Sequence, residues 1–323
     1  MLPEIDDLLG TLRVVALPLV TRFRGITVRE AALFAGPEGW TEFAPFLEYD
    51  DAEASRWLAG AIEFGWTPSP ALHRTEIPVN ATVPAVPAAE VAGVLARFPG
   101  CRTAKVKVAE PGSSLDDDVA RIRAVREALG PEGRVRIDAN SAWNIDEAEH
   151  ALRVLAPYDL EYVEQPCATV EQLDELRHRV KDLHIPVAAD ESIRRSPDPR
   201  RAAAAVDVVI VKAAPLGGIG AALGLARMLS RPAVVSSALD TSVGLAMGAH
   251  LAGALPRLPY DCGLGTAALL AADVTEEPLK PVDGRIPVRR VTPSSALLDR
   301  WAADADRTAW WTDRLRRTRA LLA

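Results

Sequence analysis

The rhythm of hydrophobic and polar positions changes near Asn80. Before it, from Val14 to Phe43, short alternating or β-rich runs are broken by Arg24-Gly25 and Gly36-Pro37-Glu38-Gly39, the pattern of an antiparallel meander. A helix should follow, capped by Asp50 or Asp51 and running through Phe64, with Ala54, Leu58 and Ala61 at helical spacing. Residues 1–80 therefore predict a small α+β domain that ends in the turn-rich Thr67-Pro68-Ser69-Pro70. After Asn80, short apolar runs alternate strictly with amphipathic ones. Strands are expected near 82–86, 103–108, 134–139, 160–164, 185–189, 207–212, 233–237 and 259–263. Helices lie between them, such as Ser114–Leu129, where Ser114 and Asp117 resemble a capping box. Past Thr266 the rhythm is lost. Gly284–Val291 reads as an extended return, and Ser294–Ala323 as one terminal helix with Trp301, Trp310, Trp311 and a basic end. That tail should pack back on the N-terminal domain, its tryptophans joining the two domains.

Eight β-rich runs alternating with seven helical ones imply parallel strands joined by right-handed crossovers, and eight strands close a barrel. An open doubly wound sheet is the alternative. Its dinucleotide-binding version is disfavoured, because no G-x-G-x-x-G follows the first strand.

Composition narrows the partners. The chain of 323 residues is 49% hydrophobic, enough for a large core, and carries a formal charge of -7. Without a basic face it fits neither nucleic acid nor an anionic membrane, which leaves a small molecule. Cys101, Cys167 and Cys262 are scattered and lack C-x-x-C spacing, so they read as reduced thiols of a cytoplasmic protein. The acidic start, Met1 to Asp7, is unlike a signal peptide. The apolar stretch Val243–Leu255 carries His250 and falls short of the ~18 residues a membrane span requires.

Charge within the strands is the informative feature. Lys107, Asp138, Glu164, Asp190 and Lys212 end the second to sixth apolar runs, and in a barrel those C-terminal ends form the face where loops build active sites. Three carboxylates without His or Cys make an all-oxygen set suited to Mg²⁺ or Mn²⁺, and without a cation they repel one another. The flanking lysines could transfer protons or stabilise charge. Lys105 shares a strand face with Lys107 and could lower its pKa. Other readings exist for each piece. Lys105 and Lys107 could mark an exposed edge strand, Asp138-Ala139-Asn140 and Glu164-Gln165-Pro166 ordinary turns, and Asp190-Glu191-Ser192 a helix cap. Joint placement on successive strand ends favours a site. Arg136 and Asn140 share the parity of Asp138 and could surround that site, and Glu191 could hydrogen-bond a ligand residue. Arg22 and Arg24, in a glycine-turned loop, could reach a substrate carboxylate. Cys167 and Cys262 read as small buried hydrophobes, and His184 and His250 lack partners at triad or metal spacing.

The motifs K-V-K at 105–107, D-A-N at 138–140, E-Q-P at 164–166, D-E-S at 190–192 and V-K-A-A-P-L-G-G at 211–218 resemble the enolase superfamily, in its muconate-lactonizing-type subgroup. The resemblance spans nearly the whole chain. It implies an α/β fold: a modified TIM barrel, (β/α)7β, over 81–279, under an α+β capping domain of residues 1–80 completed by 280–323. Lysine-and-magnesium chemistry is an established pattern of this superfamily and comes with the resemblance, not from the spacing. Asp138, Glu164 and Asp190 would bind Mg²⁺, with Mn²⁺ as a substitute, against a small-molecule carboxylate. Lys107 would remove the proton α to that carboxylate, and Lys212 would stabilise the charge across the ring.

Pro215 after Lys212, Ser236-Ser237 in the seventh run, and Gly263-Leu264-Gly265-Thr266 in the eighth point to a dehydratase branch, and place Ser236, Ser237, Gly263 and Leu264 near the substrate. Asp240-Thr241 departs from an expected Glu-Ser pair. The same lysines could instead serve a racemase or epimerase of the superfamily. A non-catalytic barrel would be expected to have lost one of the five groups, and none is missing. Either a monomer or a small homo-oligomer is compatible with the sequence.

Overall fold

The computed structural model describes residues 2–322. Helix α1 (Ile5–Leu9) precedes three antiparallel strands in the order β1 (Arg13–Phe23), β2 (Ile26–Gly36) and β3 (Gly39–Phe43). The meander is thus confirmed, with long first strands. Its first turn is tight because Arg24 (φ 49°) and Gly25 (φ 78°) both adopt left-handed backbone, as a two-residue hairpin loop requires. Helix α2 (Asp51–Trp66) starts where predicted, Asp50 Oδ1 accepting from Glu53 N at 2.7 Å. It approaches the sheet closely enough that a Cβ on Gly36 would come within 2.2 Å of the Gly65 carbonyl.

Strand β4 (Glu76–Pro78) leads into the alternating part: β5 (Ala81–Val83), α3 (Val91–Leu95), β6 (Thr103–Lys107), α4 (Leu115–Leu129), β7 (Arg134–Asp138), α5 (Ile145–Leu155), β8 (Leu160–Glu164), α6 (Val170–Arg179), β9 (Val187–Ala189), α7 (Glu191–Arg194), α8 (Pro199–Ala204), β10 (Val208–Val211), α9 (Ile219–Leu229), β11 (Ala233–Val235) and α10 (Ser242–Ala254). The seven strands β5 to β11 form one parallel sheet in sequence order.

The eighth run, expected at 259–263, is not a full strand. Cys262 and Gly263 make single parallel bridges to Val79 and Ser236, and so join the two edges of the sheet. Gly263 N donates to Val235 O at 2.8 Å, and Asn80 N donates to Cys262 O at 2.9 Å. Pro259 lacks an N–H for a longer ladder, and Cβ atoms on Gly263 or Gly265 would collide with Ser236 or Asn80. The sheet closes all the same. Strand β6 is paired on both sides, so the open-sheet and exposed-edge readings fall.

The main core lies between strands and surrounding helices, where Val106, Ile137, Val163 and Val209 meet Ile122, Leu152 and Leu176. Inside the barrel, Tyr162, Ala188, Val208, Ile210 and Val234 form a smaller core. Arg136 lies here and not beside the site. It has the parity of Asp138 but sits two residues back, about 6.6 Å deeper along the strand, where its guanidinium reaches Glu161 (2.8 Å), Tyr162 Oη (3.0 Å) and the Asp261 carbonyl (2.8 Å).

The extended return is β12 (Arg285–Pro287), antiparallel to β4. The tail is two helices, α11 (Ser295–Arg300) and α12 (Ala305–Ala320), not one. Between them the chain runs beside β1, Ala16 N donating to Trp301 O and Ala303 N to Val14 O, both at 2.9 Å, and those bonds displace helical ones. Helix α12 packs on α2. Trp310 and Trp311 share a core with Phe34, Phe43 and Trp57 that also takes in Ala238 of the barrel, and Trp301 packs on the main core, so the tryptophans fasten the tail to the first sheet where it meets the barrel. No helix among the described residues is long and apolar enough to cross a membrane.

Candidate active site

Strand register brings the first three predicted charges level and leaves Asp190 just beyond them. Lys107 pairs with Asp138, Asp138 with Glu164, and Glu164 with Ala188, two residues before Asp190. All of these side chains face the barrel mouth and are nearly inaccessible. Lys105 Nζ lies 2.6 Å from Glu164 Oε1 and 2.8 Å from Asp138 Oδ2, Lys107 Nζ lies 2.6 Å from Asp138 Oδ2, and Lys212 Nζ lies 2.5 Å from Asp190 Oδ2. Lys107 also contacts Asn140 Oδ1. Three ammonium groups thus balance three carboxylates, which makes burial of all six tolerable.

The electrostatics are uneven. Burial opposes ionisation of Asp138, but Lys105 and Lys107 outweigh it and hold the carboxyl far below its usual range. Burial, joined by the charge of Asp138, pushes Glu164 up to about 7. Asp190 is lowered, since Lys212 and Arg194 overcome the burial cost. Burial would discharge Lys105, yet Asp138 and Glu164 raise its pKa well above the ordinary value. Lys105 is therefore a fixed cation tied to two of the carboxylates.

The donor set fits a hard divalent cation. It is all oxygen and comes from adjacent strand ends, and among the described residues Asp190 Oδ1 is buried without a hydrogen-bond partner. No three His, Cys, Asp or Glu side chains of those residues already surround a common point, because each carboxylate is turned onto a lysine.

A cavity opens above the lysines, lined from the barrel by Thr82, Asn140, Ser236, Ser237, Ala238, Leu239, Gly263 and Thr266. From the first sheet and its loops, Phe23, Arg24 and Phe46 close over it. The Phe23 ring centroid lies 5.5 Å from Lys107 Nζ, and the Arg24 guanidinium stacks over Phe46 at 4.1 Å. Ser237 Oγ meets Thr266 Oγ1 at 2.7 Å and donates to Gly263 O at 3.1 Å. Three expected residues are not brought in. Arg22 is exposed, since alternation sets it opposite Phe23, which lines the cavity, and Arg24 reaches the cavity only because its left-handed backbone in the turn breaks the alternation. Leu264 is fully buried against Gly248, on the opposite side of the chain from Gly263. Glu191 faces a depression beside Arg194 that borders this cavity at Arg24 and Asn140 and does not line the cavity itself.

Several residues escaped the sequence reading. Gln165, at φ 38°, accepts from Asp190 N (3.0 Å) and Ser192 N (3.1 Å) and donates to Cys167 O (2.9 Å) and Ser192 Oγ (2.7 Å). It fixes the segment that carries Asp190. Arg29, buried in β2, donates to Leu239 O (3.1 Å) and contacts Ala44 O, tying the sheet to a cavity-lining loop. Its signal was present, since it shares strand parity with apolar Ala31 and Leu33. Glu42 accepts from Thr241 N (3.1 Å) and Thr241 Oγ1 (2.5 Å), which accounts for threonine at that unexpected position.

Burial, with Asp240 adding to it, pushes the Glu42 carboxyl from 4.5 up to about 8. The folded state then holds this proton more tightly than the unfolded chain, so its contribution is lost as pH rises between those values. Thermal unfolding should show wild type losing more stability than Glu42→Gln from pH 5 to pH 8. Parallel pH profiles would contradict this.

Residues 88–293 match the family model described as Enolase C-terminal domain-like, and residues 14–65 match Enolase N-terminal domain-like. The chain is 53% identical over 323 residues to the o-succinylbenzoate synthase of Mycolicibacterium smegmatis, covering 99% of this chain and 98% of that one. It is also 53% identical over 325 residues to the o-succinylbenzoate synthase of Mycobacterium tuberculosis, covering 100% and 98%. Its fold is similar to that of muconate lactonizing enzyme from Pseudomonas fluorescens complexed with muconolactone, with TM-score 0.77 at 20% identity, over 91% of this chain and 98% of that one. The barrel, its cover and these full-length likenesses agree: the chain belongs to the enolase superfamily, and within it to the o-succinylbenzoate synthase family.

Proposed function

We infer that this chain is a hydro-lyase that dehydrates 2-succinyl-6-hydroxy-2,4-cyclohexadiene-1-carboxylate to o-succinylbenzoate, a step of menaquinone biosynthesis, in the cytoplasm. Full-length identity of 53% to o-succinylbenzoate synthases carries the reading. Enzymes of this family use a divalent metal ion, and we assign Mg²⁺ to Asp138, Glu164 and Asp190. When bound, it would supply positive charge beside the substrate carboxylate and favour the charge that builds there as the α-proton leaves.

The chain's own side chains do the rest. Lys107 takes the α-proton. The 6-hydroxyl then leaves from the same face, and Lys107 returns the proton to it, so that hydrogen and hydroxide depart together as water and the ring becomes aromatic. Lys212 stands across the site and offsets the developing negative charge. Lys105 keeps Asp138 and Glu164 in register. Phe23 and Phe46 exclude water, and Arg24, with a positive charge at the rim, suits the second carboxylate on the succinyl arm.

The test is direct: purified protein with Mg²⁺ should convert the cyclohexadiene to a product with the mass and ultraviolet spectrum of o-succinylbenzoate. The runner-up, racemisation of N-succinylamino acids, is read by α-deuterium exchange in D₂O. Exchange from both enantiomers without appreciable dehydration would reverse the assignment.

A further inference from the structure

Arg194 is an almost fully buried cation whose choice of partners is unresolved within the barrel. Its side chain is 5% exposed, so the guanidinium must find carboxylates close by. Two belong to its own segment. Nε stands 3.6 Å from Asp190 Oδ1 and Nη2 stands 3.5 Å from Glu191 Oε1, too long for hydrogen bonds. Its bonds go to the covering helix α2 and the loop before it. Nη1 donates to Glu53 Oε1 at 2.8 Å and Nη2 to Tyr49 Oη at 3.2 Å, while Arg56 holds the Arg194 carbonyl at 2.9 Å. Among the described residues, Asp190 Oδ1 is left buried without a hydrogen bond, as is Glu191 Oε2 next to it.

We propose that Glu53 is a positioning residue that draws Arg194 off Asp190, so that seating of α2 on the barrel sets the affinity of the carboxylate site for a divalent cation. Without the Glu53 charge, the nearest carboxylates left to the Arg194 guanidinium are Asp190 and Glu191. A full ion pair with Asp190 Oδ1 places a competing cation on a ligand atom. The effect is reciprocal: a cation that claims Asp190 leaves Arg194 more firmly to Glu53, so metal binding should tighten the cover. The inference rests on the assignment of Asp190 as a metal ligand, and its test separates the two.

Mn²⁺ binding to substrate-free enzyme, followed by the paramagnetic resonance signal of free Mn²⁺, reads affinity without turnover. Glu53→Gln should bind Mn²⁺ roughly 10-fold more weakly than wild type, the scale seen when partners of ligand residues are removed. Adding Arg194→Met to Glu53→Gln should restore affinity to near wild type, because the competitor is gone. Arg195→Ala, which cuts only the exposed half of the tie to Glu53, should leave affinity unchanged. Wild-type affinity in Glu53→Gln, failure of Arg194→Met to rescue it, or equal weakening by Arg195→Ala would each overturn the proposal. Asp190→Asn is the separate control. If it binds Mn²⁺ as wild type does, the metal assignment fails whatever Glu53 does.

Discussion

Lys107→Ala should remove the dehydratase activity, with kcat lower by about 10³-fold or more and the protein still folded. The size follows from the double task given to this amine, since positioned acid–base groups typically contribute about 10²- to 10⁴-fold in rate. Survival of the fold follows from the pairing pattern. Asp138 keeps Lys105 at 2.8 Å when Lys107 is gone, so no buried carboxylate is stranded. Lys212→Ala makes the contrast: it leaves Asp190 without its 2.5 Å partner, so loss of activity there mixes charge stabilisation with a disturbed carboxylate. Steady-state kinetics with thermal unfolding as a control measures both. An active Lys107→Ala enzyme would sink the assignment of the base.

Removal of the cation should be equally severe and fully reversible. Chelated enzyme is expected to lose turnover and regain it on addition of Mg²⁺, and Asp190→Asn should weaken metal binding by more than the roughly 10- to 100-fold that loss of a ligand's outer partner costs. The chelated protein should stay folded, because Lys105, Lys107 and Lys212 already balance the three carboxylates. Calorimetric titration with Mg²⁺, alongside unfolding curves with and without chelator, checks the two halves. Full activity after exhaustive chelation, or collapse of the fold, contradicts the account.

How much of this was legible in the sequence depends on the range of the interaction. Lys107, Asp138, Glu164 and Lys212 could be read because a charge ending an apolar strand needs a local reason, and parallel register then places neighbours level without further information. The barrel could be read for the same reason, through seven well-formed strands. Its closure was read too, but through an eighth full strand, because two bridging residues carry too little pattern to separate a bridge from a strand. Arg22 and Arg24 share strand parity and are parted only by the left-handed backbone that Arg24 takes in the turn, and Gly263 and Leu264 differ only in parity at a chain bend. Arg29, Glu42 and Glu53 were missed because their partners, Leu239, Thr241 and Arg194, lie far along the sequence and meet them only once the first sheet and α2 sit on the barrel. Lys105 was half read. Its shared face with Lys107 was visible, but its bond to Glu164 needed the fourth strand in place.

Lys107 is assigned to remove a proton from the carbon next to a carboxylate, and a substrate analogue lacking the 6-hydroxyl isolates that step from elimination. In D₂O with Mg²⁺, magnetic resonance should show wild-type enzyme exchanging the α-hydrogen of this analogue for deuterium, and Lys107→Ala leaving it in place. Exchange by Lys107→Ala at the wild-type rate would contradict the account.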